Sequence, residues 1–442
     1  MTEARHNHYL IIGNSAGGIG AAEAIRECDK TSPITIVSDE PYPAYSRPLI
    51  SEYLATKCPL ERMLYRPPDF YEKSGIRLLS GRTAVRIDIK DQTAELEDGA
   101  EINWDKLLLA TGGSPIVPPI DGRKSTGVFT FTTLADARAI DKFIKKGMRA
   151  VVIGGGLIGV SVTEALERRG LKVTIVEMKD RILNTILDET ASAIAAETLE
   201  KNGVKIITNH TVTEINSEFT TDRIHAVTLD DSRGISCEVV IIAIGVRPRT
   251  EIASEAGIRV NRGIVVNRTM MTSHPGIYAC GDVVEAYDFI HGENRVTPIW
   301  PNAYLGGRVA GFNMAGRPTV YAGGTALNSI KYFGMAITSA GVFAPVDSTG
   351  EVVTTKNGEV YRKLILKNGR LSGFIFCGDI ERSGIIYGLM RDQVNVAGYK
   401  QTLIADEFSY ISLPEPVWRE RLASTFKPQP VEAETVKVEA LR

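Results

Sequence analysis

Residues 150–159 read AVVIGGGLIG. Residues 150–153 form an apolar run short enough for a buried strand, and Gly154-Gly155-Gly156-Leu157-Ile158-Gly159 is a complete G-x-G-x-x-G. In a strand-to-helix turn each glycine of that pattern has its own task. Gly154 makes the tight turn, Gly156 lets backbone approach a pyrophosphate, and Gly159 lets the helix pack closely on the strand. Residues 162–169 continue as a helix closed by Gly170, and residues 172–176 are a second strand that ends at Glu177. The spacing predicts a dinucleotide turn, with phosphates on the helix N-terminus beside Leu157 and Ile158. An acid at the end of the second strand accepts hydrogen bonds from a ribose 2′-hydroxyl and repels a 2′-phosphate, so Glu177 favours NAD(H) over NADP(H).

A second unit of this kind sits near the N-terminus. Residues 9–12 are an apolar strand, Gly13 and Gly18 hold the outer glycine places, and Ser15 stands at the middle one. Residues 21–26 read as a helix, and residues 34–37 as a strand ending at Ser38-Asp39-Glu40. Asp39 is the first choice for a ribose acceptor and Glu40 the alternative. Ser15 must be accommodated, either by turning its small side chain aside or by donating its hydroxyl to a phosphate oxygen. Two units predict two dinucleotides and an α/β fold with two Rossmann-like domains.

At 442 residues the chain is long enough for about three domains. It is 43% hydrophobic and 24% charged with a formal net charge of −2, the balance of a globular protein. The charges are spread along the chain, which argues against a nucleic-acid footprint or a polybasic membrane anchor. The longest apolar runs fall far short of the roughly 20 residues of a membrane span, and the first ten residues lack a signal core, so the expected location is the cytoplasm. Cys28, Cys58, Cys237, Cys280 and Cys377 form no C-x-x-C pair, so neither a cluster cage nor a redox disulfide is expected locally.

Two further motifs connect the units: Leu109-Ala110-Thr111-Gly112-Gly113 and Ala243-Ile244-Gly245-Val246-Arg247-Pro248. A third, Ile277-Tyr278-Ala279-Cys280-Gly281-Asp282, would alone be any strand ending in a Gly-Asp turn. Together with the two glycine fingerprints they resemble the two-dinucleotide flavoproteins of the pyridine nucleotide-disulfide oxidoreductase superfamily. The resemblance implies FAD at the first unit, NAD(H) at the second, and domain crossings at Thr111-Gly112 and Gly245. It also implies that Asp282, after Gly281, accepts a hydrogen bond from the ribityl chain. The implied domains are 1–116 with 245–320 for FAD, 117–244 for NAD(H), and 321–426 as an α+β interface domain. The two Asn-Gly pairs at 357–358 and 368–369 signal hairpins in the last of these. Residues 427–442 are polar, lack aromatics and are expected to form a tail.

Within that superfamily, disulfide reductases carry a redox cysteine beside the flavin, and some add a C-terminal His-Glu dyad. Residues 43–52, PAYSRPLISE, contain no cysteine, and the last histidine is His291. This segment is instead similar to the Tyr-x-Arg-Pro-x-Leu-Ser stretch of rubredoxin reductases, of ferredoxin reductases of oxygenase systems, and of the flavin part of nitrite reductases. The likeness places Arg47 and Pro48 against FAD. Many relatives pair a lysine and a glutamate where this chain has Glu52 and Ser161, so that pair is missing. Residues 300–303, Trp-Pro-Asn-Ala, precede an apparent helix at 304–314 that in the family points its N-terminus at the flavin pyrimidine. Ala303 thus becomes a flavin neighbour, and Trp300 either touches the ring or a partner, or packs at a domain junction. Residues 300–303 and 378–384 also resemble flavoprotein components that accompany iron-sulfur proteins in anaerobes. The expected activity is therefore an FAD-dependent NAD(H) oxidoreductase that exchanges single electrons with an iron-sulfur or rubredoxin-type protein. It would act free, as a homo-oligomer, or as a subunit of a larger complex. An NADH oxidase or peroxidase and a non-catalytic NAD-binding sensor are the alternatives.

Overall fold

The computed structural model describes residues 7–56, 58–345 and 347–423; the expected tail at 427–442 lies outside them. The chain begins with β1 (Tyr9–Ile12), α1 (Ala16–Cys28), β2 (Ile34–Ser38), β3 (Ile76–Ser80) and β4 (Lys106–Leu109). It then builds β5 (Val128–Thr130), β6 (Arg149–Ile153), α2 (Leu157–Arg168), β7 (Lys172–Glu177), α3 (Glu189–Lys201), β8 (Lys205–Thr208) and β9 (Val239–Ile242). Next, β10 (Ile277–Ala279) returns to the first sheet, whose order is β10-β4-β1-β2-β3 with every pair parallel. The second sheet runs β8-β7-β6-β9-β5, also wholly parallel. Strands of such sheets are covered on both faces, which is why β1 and β9 are buried at every position and β6 at all but its first.

Two short antiparallel strands, Gly113–Pro115 and Val246–Pro248, pair where the chain passes between the sheets. After them come α4 (Trp300–Met314) and an antiparallel sheet of β11 (Leu327–Tyr332), β12 (Met335–Gly341), β13 (Gly350–Asn357), β14 (Val360–Lys367) and β15 (Arg370–Cys377), ordered β11-β12-β15-β14-β13. Both hairpin signals are met there. The first turn is shifted by one residue, because Asn357 pairs with Val360 and leaves Gly358-Glu359 as the loop. In the second, Asn368 and Gly369 both take positive φ, 52° and 74°, as a tight hairpin requires.

Three helices start earlier than the sequence pattern suggested, α2 at Leu157 rather than near residue 162. α1 begins at Ala16 and takes in Gly17, Gly18 and Gly20, because α4 lies against it with almost no space between backbones. A Cβ at Gly307 of α4 would stand 2.0 Å from the Gly17 carbonyl oxygen. α4 begins at Trp300, since Pro301 in its first turn lacks only an N–H that would have no helical partner. One apolar core joins the second parallel sheet to the last domain: Val152, Ile175 and Ile241 pack with Ile330, Tyr332 and Ile375. Each such side chain contributes about 1.5–3 kcal/mol by leaving water.

Candidate functional site

Both glycine turns open onto one cavity of about 990 Å³. Every residue expected from the sequence to contact a cofactor lines it except Gly18 and Gly159. Those two are packing residues: a Cβ on Gly18 would lie 1.9 Å from the Gly13 carbonyl oxygen, and one on Gly159 2.0 Å from that of Gly154. The leading glycines make the turn itself. Gly13 has φ +124° and Gly154 +106°, and each abuts the chain crossing beyond it, at Ala110 and Ala243.

Three helices begin at this cavity, and none has a side-chain cap: α1 after Ser15, α2 after Gly156 and α4 after Ile299. Their first-turn N–H groups and positive dipole ends make the cavity wall a set of anion sites. Ser15 has φ −116°, a conformation open to any residue, and its hydroxyl makes no hydrogen bond among the described residues. Where Gly156 and Gly112 line the cavity, a Cβ would meet nothing within 4 Å, so the surrounding space belongs to a ligand-sized opening.

At the end of β2 the two acids separate in role. Glu40 is committed to protein: Tyr45 Oη donates to its Oε2 at 2.6 Å and Arg47 pairs with its Oε1. Tyr45 Oη in turn accepts the Leu134 N–H at 2.9 Å, and Arg47 Nη1 donates to the Thr132 carbonyl at 3.0 Å. Asp39 remains more open and accepts from Arg249 Nη1 at 2.6 Å. Arg47 and Asp282 both line the cavity. Burial pushes the Asp282 carboxyl up from its ordinary value, and the nearby Arg47 charge pulls it partly back. Gly281, with φ +82°, makes the turn that presents Asp282, and Ala303 packs against it. Pro48 sits in the first turn of the short helix after Ser46.

The second turn is braced by its own acid. Glu177 accepts the Gly155 N–H on Oε2 at 2.7 Å and the Lys179 N–H on Oε1 at 2.8 Å. A carboxylate offers about four lone-pair sites, so two remain for a ligand hydroxyl. At the crossings, Thr111 spends its hydroxyl on the Arg249 carbonyl at 2.8 Å, and Gly245 takes φ +120° while its carbonyl accepts from Ile116 N. Trp300 lines the cavity and packs edge-on against Tyr65, ring centres 5.2 Å apart, a contact within the expected FAD domain rather than at a domain junction.

Cys280 is the cavity-lining cysteine among the described residues, and burial pushes its thiol up to about 12, far from thiolate formation near neutrality. Glu52 and Ser161 do not line the cavity; Glu52 is exposed and pairs with Arg168 of α2 at 3.2 Å. Tyr45 and Arg249 contribute to the site without having been singled out as site residues. Arg249 directly follows the second crossing motif, a position that could have pointed to it; Tyr45 stands two places before Arg47.

Residues 7–307 match the pyridine nucleotide-disulphide oxidoreductase family, and residues 327–394 the rubredoxin NAD+ reductase C-terminal domain. The chain belongs to the pyridine nucleotide-disulphide oxidoreductase family. Its cofactors are accordingly FAD and NAD(H), and the uncapped helix ends and the open glycine positions fit two dinucleotides. The NADH-dependent phenylglyoxylate dehydrogenase subunit epsilon of Aromatoleum evansii is 30% identical over 96% of this chain and 99% of its own length. An NADH oxidase of Methanocaldococcus jannaschii is 36% identical over 70% of each chain. The crystal structure of a covalent putidaredoxin reductase-putidaredoxin complex aligns with TM-score 0.83 and 26% identity, over 94% of this chain and 98% of that one. Of other curated relatives the chain spans only about half the length, 51% and 49%. No helix among the described residues is long and apolar enough to cross a membrane.

Proposed function

We propose that this chain carries electrons between NAD(H) and an iron-sulfur or rubredoxin-type protein through FAD, as a free reductase or as a subunit of a larger complex. The observation that carries this reading is the convergence of three uncapped helix N-termini on one cavity, two of them at glycine turns. When bound, FAD exchanges a hydride with the nicotinamide and electrons singly with a carrier. The chain's own residues bind and orient. Residues 1–116 and 245–320 hold FAD: Asp39 accepts from its adenosine ribose, Arg47 donates to phosphate or ribityl oxygens, and Asp282 accepts from a ribityl hydroxyl. The N-terminus of α4 stabilises negative charge arising on the ring. Residues 117–244 hold NAD(H), with the pyrophosphate on Gly156 and the α2 N-terminus and the ribose hydroxyls on Glu177. Residues 321–426 form the interface domain.

No nucleophile or side-chain acid is needed for hydride transfer; positioning is the protein's contribution. Anaerobic stopped-flow reduction with NADH and with NADPH, followed by ferredoxin or rubredoxin, tests the reading. NADH should saturate at much lower concentration, and an iron-sulfur acceptor should reoxidise the flavin. Equal saturation by NADPH overturns the role of Glu177, and direct reduction of a disulfide substrate overturns the branch. The likeness to an NADH oxidase favours oxygen as a second acceptor; rapid oxygen uptake by the pure protein would establish that reading instead.

A further inference from the structure

The last domain reaches the second glycine turn through a continuous set of bonds. Asp188 is buried at the N-cap of α3, where its Oδ1 accepts the Ala191 N–H at 3.0 Å. Its Oδ2 accepts from two groups of β14, Tyr361 Oη at 2.8 Å and Lys363 Nζ at 2.8 Å. Burial alone would raise the Asp188 carboxyl, but Lys363, the Ala191 N–H and Tyr361 outweigh it and hold it below the ordinary value.

Residues 178–188 run from Glu177 to this anchor, and Lys179, Asn184 and Thr185 line the cavity. The segment is hooked to the glycine turn at its middle. Leu183 N donates to the Gly155 carbonyl at 2.8 Å, and Ile182 Cγ2 lies 2.7 Å from where a Gly155 Cβ would stand. Leu183 holds φ +51°, a left-handed backbone that a leucine keeps only when its surroundings enforce it. Ser192 Oγ of α3 fixes the preceding carbonyl, that of Ile182, at 2.8 Å. The enforcement therefore comes from both sides: from Gly155 at one end, and through α3 and Asp188 from the interface domain at the other.

We infer that Tyr361 and Lys363 are positioning residues for NADH: by anchoring Asp188 they keep residues 178–188 seated on the second glycine turn, and so set the affinity for the adenosine half of the coenzyme. The inference rests on the assignment of NAD(H) to that turn. Binding is the step affected, because Asp188 itself does not line the cavity, whereas Asp282 and Trp300 on its flavin side do. A partner or ligand that displaced β14 would lower NADH affinity by the same route.

The test compares holoenzymes of Lys363→Met, Tyr361→Phe, the conservative Lys363→Arg and Glu177→Ala in anaerobic stopped-flow reduction by NADH. Loss of the anchor should raise the apparent Kd for NADH by about tenfold, within the usual range of coupling between sites. The limiting reduction rate at saturating NADH and the FAD content should stay within about twofold, and Lys363→Arg should restore most of the affinity. A fall in Tm with unchanged Kd in Lys363→Met and Tyr361→Phe, while Glu177→Ala does raise Kd, overturns the inference alone. If Glu177→Ala leaves Kd unchanged as well, the assignment of NAD(H) to this turn has failed instead. Should Lys363→Met not fold, Tyr361→Phe removes a single hydroxyl and carries the same comparison.

Discussion

Arg249 Nη1 donates a 2.6 Å hydrogen bond to Asp39 Oδ2 across 210 positions of sequence. The same arginine, directly after the second crossing, is held to the first: Nε donates to Ser114 Oγ at 2.8 Å, its backbone N–H to the Gly112 carbonyl at 2.9 Å, and its carbonyl accepts from Thr111 Oγ1 at 2.8 Å. The acid proposed to meet the FAD ribose is thus oriented by the strand pair that joins the two sheets. Because both side chains are more than a third exposed, the pair itself adds at most about 1 kcal/mol to stability.

Arg249→Met should therefore leave Tm almost unchanged yet loosen FAD by about threefold to tenfold, since a carboxylate without its orienting donor is a poorer acceptor. Asp39→Asn should do the same, and the double variant should add little to either single one, as expected for groups acting as a unit. Titration of apoprotein with FAD, followed by flavin fluorescence, measures this. Wild-type affinity in both single variants would remove Asp39 from the FAD site.

Ser15 occupies the place of a glycine without needing glycine's conformation, and its hydroxyl has no partner among the described residues. If that hydroxyl donates to a phosphate, Ser15→Ala should weaken FAD by about 0.5–1.5 kcal/mol. Ser15→Gly should be milder, because glycine is itself an acceptable N-cap residue and opens the turn to closer approach. Equal retention of FAD by both variants after gel filtration would show that the serine is only tolerated.

The two packing glycines should separate the two cofactors. In Gly159→Ala the new Cβ would stand 2.0 Å from the Gly154 carbonyl oxygen, so the second turn must open at a cost of about 1–3 kcal/mol. Flavin should stay bound while its reduction by NADH slows and no longer saturates. Gly18→Ala, with its Cβ 1.9 Å from the Gly13 carbonyl oxygen, should instead lose FAD. Flavin absorbance of the purified variants and stopped-flow reduction distinguish them, and a Gly159→Ala protein that lost its flavin but bound NADH normally would reverse the assignment of the two turns.

Much of this was legible in the chain because the signals are local. β1 and the strand leading into Gly154 are short apolar runs ended by glycine, and a parallel strand buried on both faces can hardly be anything else. Glu177 was legible because register fixes an acid at the end of the second strand of a βαβ unit. The start of α1 was not, since Gly17 and Gly20 read as a loop until α4 is known to require small residues against it. The division of labour between Asp39 and Glu40 was equally hidden, because it depends on Tyr45, Arg47 and Arg249 arriving from three other segments.

By itself, then, the sequence determined that there are two dinucleotide turns, which residues make them, and that no cysteine pair or late histidine accompanies them. Those features are set by φ angles, side-chain size and periodicity within a few residues of one another. Only the tertiary structure decided that both turns face one cavity, that Glu52 is spent on Arg168 at the surface, and that Asp188 answers to Lys363. Such pairings carry no local signature, because hydrogen bonds and ion pairs act over a few ångströms of space, and it is the packing of the sheets and helices that makes residues distant in the chain neighbours.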